Sequence, residues 1–451
     1  MVKALVGNLM FLFWLAGAGR ADAQFSYSPN GDGATCTLTG YTGTDGVIAI
    51  PAQINGLTVV SIGYAAFAGP PAGLGVLPEF LPNPIPTIVT IPDTVTNIAG
   101  SAFFNCDNLT NVTLGSGLTS IGGEAFGYCG LTSVTIPSGV VDLAVDAFVD
   151  CPRLAAIAVA PGNLNYNSTN GVLYDQPLAT ALFCPPAFAG SLVLPGSVTN
   201  IASTAFYGCA GLTSVTMGGN VASIGHDAFS ECLGLTNMVL SAGLVSLGEL
   251  AFADCSRLAR VTLPGGLTIL GEAVFDACSS LRQVVIQEGV TDIPVNTFAG
   301  CTSLTNVTLP DTVTEIDNWA FGFCSALTAV YFAGNAPPAS QFVFYEAPAQ
   351  VYYLPGTTGW GATFDGVPAS PWFRPAPTIL GQGSGLGVGT NGFGFAISWA
   401  TNGPVVVEAS TNLVRGGWWP VATNVLSGGA TWFEDAQWQN YPGRFYRVRS
   451  R

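Results

Sequence analysis

Residues able to do chemistry are scarce in this chain of 451 residues, and their spacing points away from catalysis. The one histidine, His226, sits in Gly225-His226-Asp227-Ala228-Phe229. Ordinary zinc sites draw on several His or Cys ligands, and a Ser-His-Asp triad would have to use this one residue, so His226 reads as a solvent-facing residue of a turn. No serine sits in a Gly-x-Ser-x-Gly elbow between a strand and a helix; Gly383-Ser384-Gly385 lies in a glycine-rich stretch. The run from Gly381 to Gly389 contains no lysine and precedes no apolar helix, which leaves a very weak signal for phosphate binding. Lys3 is the only lysine, so lysine chemistry is excluded from the rest of the chain. Carboxylate pairs for glycoside hydrolysis could be drawn from 27 acids, but Asp93, Asp311, Glu315 and Asp317 fall in repeated turns as ordinary polar surface. We expect no catalytic, cofactor-binding or metal-ligating residue.

The cysteines carry more information through their positions than through their thiols. Nine of the eleven follow a phenylalanine by three residues, from Phe103/Cys106, Phe126/Cys129 and Phe148/Cys151 to Phe206/Cys209 and on through Phe321/Cys324. The pair returns every 22 or 23 residues along most of the chain. Such a period marks a solenoid, in which each repeat buries its apolar face only by stacking on its neighbours. The nine cysteines would then form one column about 5 Å apart with parallel side chains, a geometry that does not turn two sulfurs toward each other. A buried, reduced column is expected, with Cys36 and Cys184 as two further buried thiols off it.

One stretch shows the repeat in full. Leu304, Val307, Leu309, Val313, Ile316, Phe321 and Cys324 are the apolar positions, and Pro310 closes the first segment. Val307 and Leu309 alternate with Asn306 and Thr308, as a strand with one buried face requires. Phe321 and Cys324 fit one face of a short helical turn.

The pattern Leu-x-x-Val-x-Ile-Pro-x-x-Val-x-x-Ile-x-x-x-Ala-Phe-x-x-Cys resembles the BspA-type leucine-rich repeat family of bacterial surface and secreted proteins. The resemblance runs from about Phe25 to about Asn335 and includes a divergent unit at Phe67, where Pro70 replaces the cysteine. It departs from better-known leucine-rich repeats by lacking an Asn or Cys ladder just after the strand. The resemblance implies a mainly β fold with short helical turns: a leucine-rich repeat solenoid, a right-handed coil with a parallel sheet on one face. A small C-terminal β module follows it, whose ending Gly443-Arg444-Phe445-Tyr446-Arg447-Val448 resembles a recurring C-terminal module of secreted bacterial proteins. It also implies an exported, non-catalytic protein that binds an extracellular protein or glycan in the manner of an adhesin.

Lys3, the apolar run from Ala4 to Ala18 and the small-x-small site Ala21-Asp22-Ala23 read as a signal peptide over residues 1–23. The run is short of the roughly 20 residues that span a bilayer, and no later stretch is apolar enough, so no transmembrane segment is expected in the mature chain. Removing Lys3, Arg20 and Asp22 takes the net charge from -15 to -16. An acidic surface of this kind argues against nucleic acid and anionic lipid as partners.

Residues 24–62 read as N-terminal capping hairpins, with turns at Asn30-Gly31-Asp32-Gly33 and Thr44-Asp45-Gly46. The Asp-Gly pair resembles part of a calcium loop, but the remaining ligands are absent and the turn accounts for it. Repeats fill 63–335 with two interruptions. A proline-rich loop at 70–86 lengthens the spacing from Phe67 to Phe103 to 36, and a hairpin unit over 160–195 lengthens that from Phe148 to Phe206 to 58. A proline and aromatic cap over 336–379 is expected to cover the last rung. A glycine-rich linker over 380–392 and a β module over 393–451 complete the chain, the module in five strands near Phe393, Val405, Trp418, Ala430 and Arg444.

The outward positions of the repeat strands form the largest continuous surface. Arg257, Arg260, Arg282 and Gln283 make the only basic cluster on the repeats, and with Asn306, Thr308 and Tyr331 they are the candidate binding residues for an acidic protein or for glycan carboxylates. The competing expectation is that these arginines only solubilise the sheet. A second candidate is glycan stacking on Trp399, Trp418, Trp419, Trp432 and Trp438 of the module, although aromatic density in so small a module also suits a core. A third is structural, with the acidic repeats acting as an envelope or matrix spacer.

Overall fold

The computed structural model describes residues 24–68, 86–338, 340–372, 378–380, 386–388, 392–398, 404–411, 417–425, 430–441 and 443–450. The expected signal peptide, all of the loop at 70–86 except Pro86, most of the glycine-rich linker and Trp399 lie outside these residues. The chain divides into two compact units, Met1–Leu235 and Thr236–Arg451.

In the first unit a hairpin of Phe25–Pro29 and Thr35–Tyr41 opens the fold. Its turn is closed by Asp32, whose carboxylate accepts the amides of Ala34 and Thr35 at 2.9 Å each and the Thr35 hydroxyl at 2.6 Å. Thr35–Tyr41 pairs in parallel with Leu57–Ile62, which is followed by the short strands Asn97–Ile98, Ser120–Ile121 and Asp142–Leu143. A second parallel ladder runs through Val47–Ala49, Ile88–Thr90 and Asn111–Thr113. Each coil thus has one longer strand, one two-residue strand and a third side that carries the Phe and the Cys. Alternation decides which residues go inside: along Ser133–Ile136 and Asn306–Leu309 every second residue is buried and its neighbours are exposed.

The third side differs from the expected helical turn. Around Phe298, Asn296 and Gly300 take left-handed conformations (φ 57° and 67°), and Ser101 and Asn105 flank Phe103 in the same way (φ 55° and 60°). The amides of Asn296, Phe298 and Gly300 donate to the carbonyls of Asn318, Ala320 and Gly322 in the next coil at 3.2, 2.9 and 2.9 Å. A helix would aim its amides along its own axis and leave the neighbouring coil unpaired. Alternating handedness instead turns every second amide outward, giving a third ladder. The left-handed residues cost roughly 1–2 kcal/mol each, and the ladder satisfies amides that would otherwise be buried without partners.

Two columns fill the space behind this ladder. Phenylalanines stack with nearly parallel rings, Phe103 on Phe126 at 5.1 Å in the first unit and Phe275 on Phe298 at 5.5 Å in the second. All eleven cysteines are buried and none is in a disulfide. Their thiols are not inert filler: Cys129 donates to the Phe103 carbonyl at 3.2 Å, and Cys301 to that of Phe275 at 3.3 Å. Cysteine at this position is therefore a small apolar residue that also supplies a donor.

The hairpin unit is an antiparallel meander of Tyr166–Thr169, Val172–Asp175 and Thr180–Phe183, the last of which pairs in parallel with Asn200–Ile201. In the second unit the coil continues past Asn335. Phe344 stacks on Phe321 at 5.9 Å, and Gln350–Tyr353 and Val367–Pro371 extend the parallel sheet of Asn306–Leu309 and Ala329–Phe332. Beyond it two small sheets are formed. Thr378–Leu380 and Leu386–Val388 flank one edge of Phe393–Ser398, and Ala430–Asp435 flanks the other. Pro404–Ser410 lies between Trp419–Val425 and Phe445–Ser450. Residues expected as cap and linker thus contribute two strands. Phe395, Ile397, Val405, Val407 and Phe433 form the core between these sheets.

Candidate binding surfaces

Parallel pairing decides which candidate residues meet. Arg260 faces Gln283, Asn306 faces Ala329 and Thr308 faces Tyr331, so residues a repeat apart become neighbours on the exposed face. Arg282, Gln283, Asn306 and Thr308 line one shallow groove of about 700 Å³, with Pro310 and Ala333 at its end. Small outward side chains at Thr308 and Ala333 leave the depression that the longer Arg282 and Gln283 flank. Arg260 stands in register beside Gln283, whereas Arg257, exposed in the preceding turn, is not part of the groove. Glu288 also lines it, its carboxyl held above the ordinary range first by burial and then by a hydrogen bond and the charge of Asp311. The groove therefore offers one guanidinium, the side-chain amides of Gln283 and Asn306, the Thr308 hydroxyl and one carboxyl.

Tyr331 closes this face with an aromatic strip. It stacks on Tyr352 at 5.2 Å and meets Trp372 at 4.7 Å. Both partners come from the proline and aromatic stretch, so this extension of the coil enlarges the candidate surface.

The described tryptophans of the module, Trp418, Trp419, Trp432 and Trp438, do not form its core. Trp419 and Trp432 are 38% and 45% exposed. Trp418 lies under the Arg447 guanidinium at 4.5 Å, and Trp438 is half-buried with its ring 6.3 Å from Phe393. The core is small enough for phenylalanine and valine to fill, which leaves the larger indoles on the surface. On one side of the module Glu408 accepts hydrogen bonds from Nε of Arg449 and of Arg447 at 2.7 Å each, which hold its carboxyl below its usual value.

His226 is exposed in its turn with Nδ1 2.9 Å from the Asp227 carboxylate. Two features carry no simple sequence signal. Trp319, Phe323, Phe342 and Tyr345 form a partly exposed aromatic corner of about 500 Å³ beside Asn296. The aromatic residues two positions either side of Phe321 were the available clue. The other is an acidic groove at the hairpin unit, whose walls come from residues more than 50 positions apart, Asp146 and Tyr207 among them.

The chain matches the family described as BspA type Leucine rich repeat region over residues 85–184, 180–304 and 271–358, in six copies. Among solved structures it is similar to the pneumococcal vaccine antigen PcpA at 18% identity, over 74% of this chain and 92% of that one, with a TM-score of 0.49. It is similar to a leucine-rich repeat protein from Bacteroides ovatus at 23% identity, over 73% and 93% of the two chains, with a TM-score of 0.48. A leucine rich cell surface protein from Faecalibacterium prausnitzii matches at 25% identity, over 69% and 94%, with a TM-score of 0.39. No curated protein matches this chain.

Proposed function

From the premise that this chain belongs to the BspA-type leucine rich repeat family, we propose that it is an exported, non-catalytic binding protein of adhesin type. Its recognition surface is the outward face of the repeat strands in the second unit. The observation that carries this reading is the groove in which Arg282, Gln283, Asn306 and Thr308 converge beside the aromatic strip of Tyr331, Tyr352 and Trp372. A guanidinium forks onto carboxylates, amides and hydroxyls bond sugar or peptide polar groups, and flat rings stack on apolar faces. The ligand class that fits is an acidic one, a carboxylate-bearing glycan or an acidic protein segment. Export follows from the charge and apolar pattern of the first 23 residues.

A glycan and protein array probed with the chain from Gln24 onward tests this. Carboxylated hits should survive truncation after Trp372 and weaken about tenfold in Arg260→Ala with Arg282→Ala, with a shallower salt dependence. A second reading rests on the exposed Trp419 and Trp432: sugar stacking on the module, with the coil as a stalk. Binding that persists in the isolated module and vanishes on truncation would select it, and an array without hits would favour the spacer role.

A further inference from the structure

In the first unit the ladder on the Phe side fails beside the hairpin unit, and the break has the properties of a binding groove. The amides of Phe126 and Tyr128 donate to Ala147 and Val149 of the next coil at 2.8 and 3.0 Å. The equivalent amides one coil later, those of Phe148 and Asp150, donate to no backbone carbonyl among the described residues. The cause lies in the hairpin unit. Cys184 stands where a phenylalanine would, since its amide donates to Ala205 at 2.6 Å as the Phe126 amide does to Ala147. Two residues on, the ladder donor should be residue 186, which is proline and has no N–H. The Tyr207 carbonyl, equivalent to the acceptor Val149, consequently receives no backbone donor among the described residues.

Where the two sides fail to pair, a groove of about 750 Å³ opens. Val145, Val149 and Pro152 lie on one wall, and Phe183, Pro186 and Tyr207 on the other. The charged residues that line it are Asp146, Asp150, Asp227 and Glu231, all carboxylates. Glu231 is held in place by the Tyr207 hydroxyl, which donates to it at 2.7 Å. Apolar walls, a ladder donor at Asp150 and a ladder acceptor at Tyr207 that both line the groove, and charged lining residues that are all carboxylates suit one extended chain. A carbonyl of that chain would accept from the Asp150 amide and one of its amides would donate to the Tyr207 carbonyl. In an extended chain, side chains alternate between the apolar walls and the carboxylates. Charge complementarity selects lysine or arginine for the second set, and a second copy of this chain, with 12 basic residues against 27 acidic ones, is a poor source of such a segment.

We propose that this groove binds a basic peptide segment of a partner protein, inserted in extended form as a substitute rung. This site is separate from the sheet-face groove and does not depend on it.

The test uses the full chain and a fluorescein-labelled, end-capped nonapeptide of alternating lysine and valine, with binding followed by anisotropy at low salt. The lysine peptide should bind and the same peptide with glutamate for lysine should not. Asp150→Asn with Glu231→Gln should weaken binding about tenfold or more, while Glu272→Gln with Glu315→Gln, on other coils, should leave it unchanged. A lysine peptide N-methylated at alternate residues, which cannot donate to Tyr207, should also lose about tenfold. Circular dichroism melting of both variants establishes that the fold is kept. Absence of binding overturns the proposal. Equal affinity for the two double variants would mean general attraction to an acidic protein, and unchanged binding of the N-methylated peptide would mean that no rung is formed.

Discussion

The coil and the C-terminal module solve burial in opposite ways. In the coil the interior is apolar and repetitive: rings stack on rings, thiols donate to carbonyls one coil back, and charges stay at the surface. The module has no repeat to extend a ladder and buries charge instead. Asp435 pairs with Arg444 at 2.8 Å, with side chains 9% and 7% exposed, and also accepts the Tyr446 hydroxyl at 2.6 Å. Translation from coil to coil pairs backbone groups in the first region, and specific ion pairs neutralise buried charge in the second. A stacked fold can therefore change its surface residues freely, while the module depends on a few partners being present together.

The largest effect is expected from opening the ring column. Phe298→Ala removes a fully buried ring between Phe275 and Phe321 and should destabilise the protein by about 3–5 kcal/mol in urea unfolding. A cost near 1 kcal/mol would mean that the column collapses around the gap. In the module, Asp435→Ala strands the buried Arg444 and should cost about 3 kcal/mol. An effect confined to the coil would break the contrast.

Acid and base should separate the two regions next. Glu408 has a folded pKa below its ordinary 4.5 because Arg449 and Arg447 bond its charged form. Its contribution is present above 4.5 and is lost as pH falls through the lowered value. The Cys324 thiol is pushed up from 9.0 to about 12 by burial. Unfolded thiols ionise above 9.0 while this one does not, so its contribution is complete below 9.0 and disappears as pH rises toward about 12. Melting curves across pH should show the module weakening at the acid end and the coil at the alkaline end. Finally, Cys301→Ala loses the donor to Phe275 and should cost about 1–2 kcal/mol, with Cys301→Ser recovering part of it. Thiol titration of denatured, unreduced protein should find all eleven cysteines free, and a deficit would show that the column does not stay reduced.

The coil was legible because repetition makes spacing equivalent to contact: Phe275 and Phe298, 23 residues apart, meet through one turn of the coil. The five expected strands of the module are all present, yet the role of its tryptophans was not legible, since density of aromatic residues does not say which face of a strand they occupy. Among the candidate residues, alternation alone placed Asn306 and Thr308 outward, but only strand register joined them to Arg282 and left Arg257 aside.

The sequence by itself determined the period, the identity of the two buried columns and the inside or outside position of each strand residue, because each follows from side-chain periodicity and from stacking of equal units. Tertiary structure alone decided the left-handed turns around each phenylalanine. Residues as unlike as Ser101, Thr204, Leu250 and Ala273 occupy them, so no local preference encodes a conformation whose reward is a hydrogen bond to the next coil. It also decided where that ladder fails. Pro186 is an ordinary loop residue until the fold aligns it with Tyr207 and sets both in one groove with Asp150.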